Sequence, residues 1–358
     1  MKILNISLDK NILEKSSTVA LRVREYGNLV EKYSVIVPAG KKEKINLSEK
    51  TDVYSVGGGN KIVKLLNCYS QAKNLISKDK YDVITVQDQY YFGWIGLKLA
   101  RKFKIGLEIQ IHGFEKYSGL RKLIVKKVIK NTDAIRVVSE RLKKKLIEEF
   151  GVEEKKITVA PIYSDTRIRN QELGLKGENN KFVFLTVGRL VKVKNIEMQI
   201  RAISEVVKKY SNIELWIVGD GPLRKKLEVG THNHAFIRFL GWQDDLGYLY
   251  KKADAFLLTS NSEGWGLVVV EASSFGLPII MTDVGCAGEV IKNEESGLII
   301  PVGDQKALED AMIRLIIDED FSVKIGKGAQ EAIKKLPTKE ETFQRYIESW
   351  KKAKLVKS

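Results

Sequence analysis

The stretch Ser260–Ala272, which reads SNSEGWGLVVVEA, decides the fold class and the first candidate site. The apolar run before it, Ala255–Leu258, is typical of a buried strand, and the apolar residues after Gly266 are typical of a helix. A strand, a glycine-containing loop and a helix in this order form the repeating unit of parallel α/β sheets. Because free backbone amides at the start of such a helix favour phosphate, we expect this loop to bind an anion.

Two glutamates of this stretch are candidate ligand-binding residues. Glu263 lies in the loop and can point at a sugar hydroxyl, whereas Glu271 lies within the helix and can accept two hydrogen bonds from a ribose diol. The structural alternatives are that Glu263 only stabilises the helix dipole and that Glu271 is a paired acid. Because Glu271 stands in an apolar helix face, where unpartnered acids are rare, we favour the functional interpretation.

Two cations follow an earlier predicted strand. That strand ends at Val187, the chain can turn at Gly188, and Arg189 and Lys194 then precede a helix that starts near Asn195. Arginine offers a bidentate fork and lysine a point charge, so the pair suits a diphosphate. The alternative is a solvated loop in a lysine-rich protein.

A glycine-rich turn follows the next strand, at Gly219-Asp220-Gly221-Pro222. A tight turn explains this pattern without any ligand, and Pro222 suits the first turn of a helix. We therefore favour a structural role for Asp220. The glycine at 219 allows the backbone to lie close to the predicted ligand cleft.

Similar strand and helix units recur along the 358 residues. The predicted strands are Lys2–Leu8, Ser34–Val37, Asp82–Val86, Gly106–Ile111, Ala134–Val138, Ile157–Ala160, Lys181–Val187, Ile213–Val218, Phe236–Leu240, Ala255–Leu258 and Pro278–Met281. This alternation predicts an α/β protein of two doubly wound, Rossmann-like domains with a cleft between them. We place the domains at 1–165 and 181–338, separated by a polar linker and followed by a helical segment at 339–358.

The net charge of +16 indicates attraction to anions, although lysine-rich helices also serve solubility alone. Phosphorylated substrates, nucleic acid and anionic membranes all fit the charge, but we recognise no nucleic-acid-binding module and expect no nucleic-acid partner. Residues 118–131 form a basic amphipathic pattern, which predicts either peripheral contact with an anionic membrane or an ordinary surface helix.

The location of the protein is predicted to be cytoplasmic, with the cytoplasmic face of a membrane as the second option. The chain opens directly on a strand pattern, and it lacks the run of ~18 apolar residues that a membrane span needs. Cys68 and Cys286 are far apart in the sequence and predict neither a disulfide framework nor a cysteine-based zinc site. His112, at the tip of the predicted strand Gly106–Ile111, is either a donor facing the cleft or an ordinary loop histidine.

In this order, these pieces resemble retaining glycosyltransferase family 4, which has the GT-B fold of two Rossmann-like domains facing each other across a cleft. Glu263 and Glu271 are similar to the family's E-x7-E motif, and Gly188-Arg189 with Lys194 is similar to its G-R…K phosphate site. Further similar segments are Gly219–Pro222, Ser274–Ile280, Ser296–Pro301 and Val138–Glu140. The resemblance covers nearly the whole chain.

The resemblance implies a role for each motif residue. Arg189 and Lys194 would bind the donor diphosphate and stabilise the leaving group, and Glu271 would bind the nucleotide ribose. Glu263 and the amides of the following loop would hold the transferred sugar, with His112 beside it. The residues implied to contact the donor also include Gly188, Gly219, Gly264, Trp265, Gly266 and Leu267. The terminal segment would cross back to the first domain, the acceptor-binding one.

The implied reaction moves a hexosyl group from a UDP- or GDP-hexose to a sugar or lipid-linked saccharide acceptor, in glycan or glycolipid biosynthesis. No cofactor and no metal are expected, since two fixed cations and a helix start can stabilise the leaving diphosphate and no carboxylate-rich metal site is evident in the sequence. One departure is the stretch Leu8–Ser17, which lacks the family's Gly-Gly loop and leaves the amides near Ser16 as the implied contact. The alternatives are a phosphorylase, a sugar-nucleotide epimerase or a non-catalytic binding subunit of the same fold.

Overall fold

The structure is a computed structural model that describes residues 1–113, 117–163, 181–231 and 234–355. The chain divides into two compact units. Unit 1 comprises Met1–Pro161 and Pro337–Ser358, and unit 2 comprises Ile162–Leu336. The predicted linker, residues 164–180, lies outside the described residues.

The described part of unit 1 is built on one mixed sheet. Its strands are β1 (Lys2–Ile6), β2 (Lys32–Val37), β3 (Glu43–Ser48), β4 (Thr51–Ser55), β5 (Val83–Val86), β6 (Gly106–Ile111), β7 (Ala134–Val137) and β8 (Ile157–Val159). They lie in the order β3-β4-β2-β1-β5-β6-β7-β8, all parallel except the antiparallel pair β3 and β4. The helices are α1 (Thr18–Asn28), α2 (Lys61–Lys78), α3 (Tyr91–Phe103), α4 (Gly119–Lys130), α5 (Glu140–Phe150) and the terminal α12 (Lys339–Leu355).

The described part of unit 2 is built on a fully parallel sheet. Its strands are β9 (Phe182–Val187), β10 (Ile213–Val218), β11 (Ile237–Gly241), β12 (Ala255–Leu258), β13 (Ile279–Thr282) and β14 (Leu298–Ile300), in the order β11-β10-β9-β12-β13-β14. The helices are α6 (Ile196–Val206), α7 (Arg224–Gly230), α8 (Gly247–Lys252), α9 (Leu267–Ser274), α10 (Gln305–Ile317) and α11 (Glu319–Lys334). The prediction of two doubly wound α/β units is confirmed.

Each unit has its own apolar core. In unit 2, Phe184, Leu215 and Ile217 of the sheet pack with Met198 and Ile203 of α6, all fully buried or nearly so. The central strands are apolar on both faces because helices cover both sides of the parallel sheet. This arrangement fixes the strand ends, from which the candidate site residues project.

The terminal helix α12 belongs to unit 1, where Tyr346, Trp350 and Ala353 enter the core of the sheet. The approach at the start of β6 is so close that a Cβ on Gly106 would lie 2.4 Å from the carbonyl oxygen of Ala353. Glycine is therefore required at this position for the helix to dock.

A buried acid joins α12 to the sheet. Glu108 of β6 is fully buried and accepts hydrogen bonds from Arg136 Nε at 3.1 Å and from Trp350 Nε1 at 3.2 Å. The hydroxyls of Thr85 and Ser349 donate to the same carboxylate. Burial alone would lower the pKa of Arg136, but the charge of Glu108, the hydrogen bond to it and the nearby Tyr346 and Tyr26 together raise it. The carboxylate thus holds three strands and the terminal helix together.

No helix among the described residues is both long enough and apolar enough to cross a membrane. Both cysteines, Cys68 and Cys286, are buried, and neither forms a disulfide bond.

Candidate functional site

The strand order of unit 2 places two loops side by side. From β9 the chain proceeds outward to β10 and β11, and it then returns to the other side of β9 to form β12, β13 and β14. The order therefore reverses between β9 and β12, which pair in parallel. Ligands of doubly wound sheets bind at the carboxyl ends of strands at such a reversal. The residues that follow β9 and β12 are the predicted Gly188–Lys194 and Ser260–Gly266.

Lys194 and Glu263 meet at this reversal. The Lys194 Nζ atom lies 2.5 Å from Glu263 Oε1, and both side chains are largely shielded, with 21% and 15% of their surface exposed. Ser260 Oγ donates to the same carboxylate oxygen at 2.7 Å. Two residues from separate motifs, 69 positions apart, thus form a hydrogen-bonded ion pair. The sequence analysis predicted neither this contact nor the hydrogen bond from Ser260 to Glu263.

Backbone contacts fix the position of Lys194. Asn195, which follows it, adopts a left-handed conformation with φ of 51°. Thr259 Oγ1 donates to the carbonyl oxygens of Lys194 and Asn195, each at 3.2 Å. The amide of Asn261 donates to the carbonyl oxygen of Val193 at 2.7 Å. The loop after β12 therefore holds the loop after β9, and the lysine is oriented before any ligand binds.

The glycines of this edge permit close backbone approach. A Cβ on Gly219 would lie 2.1 Å from the carbonyl oxygen of Gly188, and Gly219 has a φ of 122°, a region that favours glycine. A Cβ on Gly188 would lie 3.6 Å from Lys194 Cε, so the lysine stem runs along this glycine. Gly219 thus acts on the site through packing. The side chain of Asp220 is exposed and accepts from the amide of Gly221 at 2.6 Å.

Arg189 follows Gly188 and is exposed to solvent. No carboxylate of the described residues forms an ion pair with its guanidinium. Its five donors are fixed in a planar fork that suits a phosphate group. Arg189 and Lys194 thus differ, because the lysine is already paired with Glu263.

The loop before α9 is tightly packed. Trp265 is only 3% exposed, and its indole N–H has no hydrogen-bond partner among the described residues. The amide of Cys286 donates to the Trp265 carbonyl oxygen at 2.8 Å. Gly266 caps α9 with a φ of 90°, and no side chain caps the helix. Gly264 and Leu267, on either side of these two residues, are half-buried.

Glu271 of α9 has a protein partner. Its Oε2 accepts from the hydroxyl of Tyr250 at 3.2 Å, and the carboxylate is half-buried. Tyr250 is itself buried and stacks on Phe275 at 5.1 Å between ring centroids. Burial and then the charge of Glu271 raise the pKa of Tyr250 well above its usual value, so the phenol stays protonated and donates. Glu271 therefore has a hydrogen-bond partner in the protein, as its structural alternative predicted. The sequence analysis did not identify Tyr250 as that partner.

Two candidate residues lie in unit 1. His112 follows β6 and keeps solvent access, yet desolvation by the surrounding protein, together with the charges of Arg136 and Arg22, lowers its pKa to about 4. The imidazole is therefore neutral at neutral pH, and it can exchange a hydrogen bond without carrying charge. Ser16 is exposed beside α1, and its hydroxyl lies 3.5 Å from a carboxylate oxygen of Glu14.

No group of three or more His, Cys, Asp or Glu side chains that could hold a metal ion is found in the part of the chain that the structure describes.

Two protein-family models match consecutive parts of the chain. The model for glycosyltransferase family 4 matches residues 32–166, and the model for glycosyl transferases group 1 matches residues 169–332. The chain is a glycosyltransferase of family 4. The resemblance seen in the sequence motifs is therefore confirmed, and the matched regions contain all the candidate residues except Ser16.

Individual relatives of this glycosyltransferase agree with the assignment. It is 29% identical to an uncharacterised glycosyltransferase of Methanocaldococcus jannaschii over 279 aligned residues, and this alignment covers 76% of each chain. It is 28% identical to the Escherichia coli UDP-Gal:α-D-GlcNAc-diphosphoundecaprenol α-1,3-galactosyltransferase over 286 aligned residues, and this alignment covers 73% of each chain. Among solved structures, the Anabaena protein HepE in complex with UDP-glucose is similar with a TM-score of 0.77 at 17% identity, over 98% of this chain and 99% of that one. This similarity confirms the GT-B fold.

Proposed function

We propose that this glycosyltransferase moves a hexosyl group from a UDP- or GDP-hexose to a sugar or lipid-linked saccharide, with retention of configuration and without a metal ion. The observation that carries the proposal is the Lys194–Glu263 pair at the strand-order reversal of unit 2. Arg189 and the uncapped start of α9 belong to the same two loops. This is the edge at which doubly wound sheets bind nucleotides.

The chemistry follows from where charge develops. Cleavage of the bond between the sugar and the phosphate builds positive charge on the anomeric carbon and negative charge on the leaving diphosphate. Lys194, Arg189 and the helix amides after Gly266 would stabilise the diphosphate, which is the work that a metal ion does in other enzymes. Glu263 would accept hydrogen bonds from the sugar, and Glu271 from the ribose.

The names of similar proteins support the class of donor and acceptor. The E. coli relative takes a UDP-sugar donor and a diphosphate-linked lipid acceptor, and the Anabaena structure holds UDP-glucose. Retention of configuration rests on the family resemblance, in which the acceptor hydroxyl gives its proton to the leaving phosphate on the same face of the sugar. His112 is proposed to lie beside the transferred sugar as a neutral hydrogen-bonding group, and the amides near Ser16 beside the phosphate or the acceptor.

The purified protein is expected to hydrolyse or transfer one nucleotide sugar at the same rate with EDTA as with added magnesium or manganese. A thermal-shift screen of UDP- and GDP-sugars would first identify the donor, since a ligand that binds the folded state raises its apparent stability. Release of UDP or GDP is then measured with and without the chelator. Loss of turnover in EDTA that is restored by a divalent ion would contradict the metal-independent mechanism.

We also propose that α4 brings the enzyme to the cytoplasmic face of an anionic membrane. Leu120 and Leu123 of this helix are 71% and 65% exposed. The segment 118–131 also carries Arg121, Lys122, Lys126, Lys127 and Lys130 and no acid. Exposed apolar side chains among cations are typical of interfacial helices, and each cation near an anionic surface contributes about 1 kcal/mol.

Co-sedimentation with vesicles tests this contact. The wild-type protein is expected to bind phosphatidylglycerol vesicles and not phosphatidylcholine vesicles, and the double variant Leu120→Ser, Leu123→Ser is expected to bind about tenfold more weakly because less apolar surface enters the interface. Ile317→Ser, at a side chain that is 63% exposed in unit 2, is the matched control and should change nothing. Equal binding to both kinds of vesicle would rule the proposal out.

A further inference from the structure

A cavity of about 330 Å³ opens at the carboxyl edge of the sheet of unit 1. Its walls come from the loops after three neighbouring parallel strands, β1, β2 and β4, with Leu8, Pro38 and Gly59 among the lining residues. Leu8 and Lys10 belong to the stretch that stands where the family has its Gly-Gly loop, whereas the donor site of unit 2 contributes no residue to this cavity. The carboxyl edge of a doubly wound sheet is where its ligands bind.

Three lysines line the cavity: Lys10 from the loop after β1, and Lys61 and Lys64 from the first turns of α2. No ion pair joins any of them to a carboxylate of the described residues. Some other lysines of the same unit are paired, as Lys2 and Lys32 are with Asp79 at 2.8 and 2.9 Å. Three lysines that line one cavity without a paired carboxylate make the local potential positive, so an anion bound there would be stabilised.

The shape of the cavity suits a compact ligand close to the backbone. Gly58 has a φ of 128°, and a Cβ there would lie 2.8 Å from Lys64 Cγ, so this glycine allows the lysine stem to pack against the loop. A Cβ on Gly59 would meet no atom within 4 Å, which leaves room beside the loop. Lys61 Nζ lies 3.9 Å from the ring centroid of Tyr91, an aromatic face that helps to hold the ammonium group.

We propose that this cavity binds a phosphate group of the acceptor, so that the acceptor is a phosphorylated or diphosphate-linked saccharide. The inference rests on the proposed function, because it assigns the second substrate of the same transfer. A phosphomonoester or a diphosphate bridge carries more than one negative charge and several acceptor oxygens, which the lysines that line the cavity can pair with, whereas a neutral sugar would leave them unpaired. The departure from the Gly-Gly loop after β1 thus coincides with a basic cavity built partly from the Gly57–Gly59 loop.

The test measures acceptor binding by isothermal titration to protein saturated with UDP or GDP. The probes are hexose 1-phosphate, a decyl-diphosphate-linked hexosamine and the neutral decyl glycoside. The two phosphate-bearing probes are expected to bind at least about tenfold more tightly than the glycoside, and Lys61→Gln with Lys64→Gln should remove that difference. Lys73→Gln with Lys78→Gln, at two exposed lysines on the same helix outside the cavity, is the charge-matched control and should keep it.

Each outcome decides the inference. It is overturned if the neutral glycoside binds as tightly as the phosphate-bearing probes, if neither phosphate-bearing probe binds, or if the double variant keeps the preference. Tighter binding of hexose 1-phosphate or of the lipid-like diphosphate would separate a free sugar phosphate from a lipid-linked acceptor. Donor hydrolysis, measured in parallel, distinguishes the two failures: a protein that hydrolyses no nucleotide sugar contradicts the proposed function, whereas normal hydrolysis with unchanged acceptor binding contradicts only this cavity.

Discussion

Replacing Lys194 by alanine is expected to lower kcat/KM for the nucleotide sugar by about a thousandfold, or about 4 kcal/mol of transition-state stabilisation. Two effects act in the same direction. The leaving diphosphate loses a fixed cation, and Glu263, which now pairs with Lys194 at 2.5 Å, is left as an uncompensated carboxylate beside it. Because the negative charge grows as the bond breaks, kcat should fall more than KM rises. Steady-state kinetics with the donor from the thermal-shift screen measures both.

Lys192→Ala is the matched control, because Lys192 lies in the same short turn and is exposed without an ion pair to a described residue. It should stay within about twofold of the wild type, since a single exposed charge away from the reacting atoms contributes little. Lys194→Arg keeps the positive charge but changes the length and shape of the side chain, so we expect an activity between those of the wild type and Lys194→Ala. If Lys194→Ala turned over its donor within a few-fold of the wild-type rate while it melted normally, the assignment of the leaving-group site would be wrong.

The sequence predicted which segments form the site, but not how they contact each other. Strand ends on neighbouring parallel strands lie at one edge, so the loops at Gly188 and Glu263 could be placed together from strand order alone. The ion pair between Lys194 and Glu263 depends on side-chain conformations and on the left-handed Asn195, which no spacing reveals. Tyr250 was missed for a similar reason, since it reaches Glu271 from a helix 21 residues away in sequence.

Two of the strands that were not predicted, β3 and β4, have mixed burial. The strand β3 reads Glu-Lys-Ile-Asn-Leu-Ser and lies at the edge of the sheet of unit 1, where Glu43, Lys44 and Asn46 face solvent. The neighbouring β4 contains Asp52 and buries Thr51 and Ser55. Without an apolar run, neither segment has the signature of a buried strand. Because β3 was not predicted as a strand, its antiparallel pairing with β4 was not predicted either.

The strand Gly106–Ile111 was predicted with the bounds that the structure has, but the role of its acid was not. Glu108 interrupts an apolar run, as Glu271 does in α9, and both acids have partners in the structure. The partners of Glu108 include Ser349 and Trp350, which are 241 and 242 residues away. An acid in an apolar segment therefore signals a buried partner, and only the fold reveals which residue supplies it.

Replacing Glu108 by alanine is expected to destabilise unit 1 by about 3 to 5 kcal/mol, because Arg136 would remain buried without its counter-charge. The indole N–H of Trp350 would lose its acceptor as well, so the contact between α12 and the sheet should weaken first. Hydrogen–deuterium exchange of peptides from β6 and α12 should become at least about a hundredfold faster, with little change in β9 and β10 of the other core. Glu348→Ala, at an exposed residue of α12, is the control and should leave exchange unchanged within experimental error. Unchanged exchange in Glu108→Ala would contradict the network, whereas faster exchange confined to unit 1 would show that a single buried carboxylate secures the terminal helix.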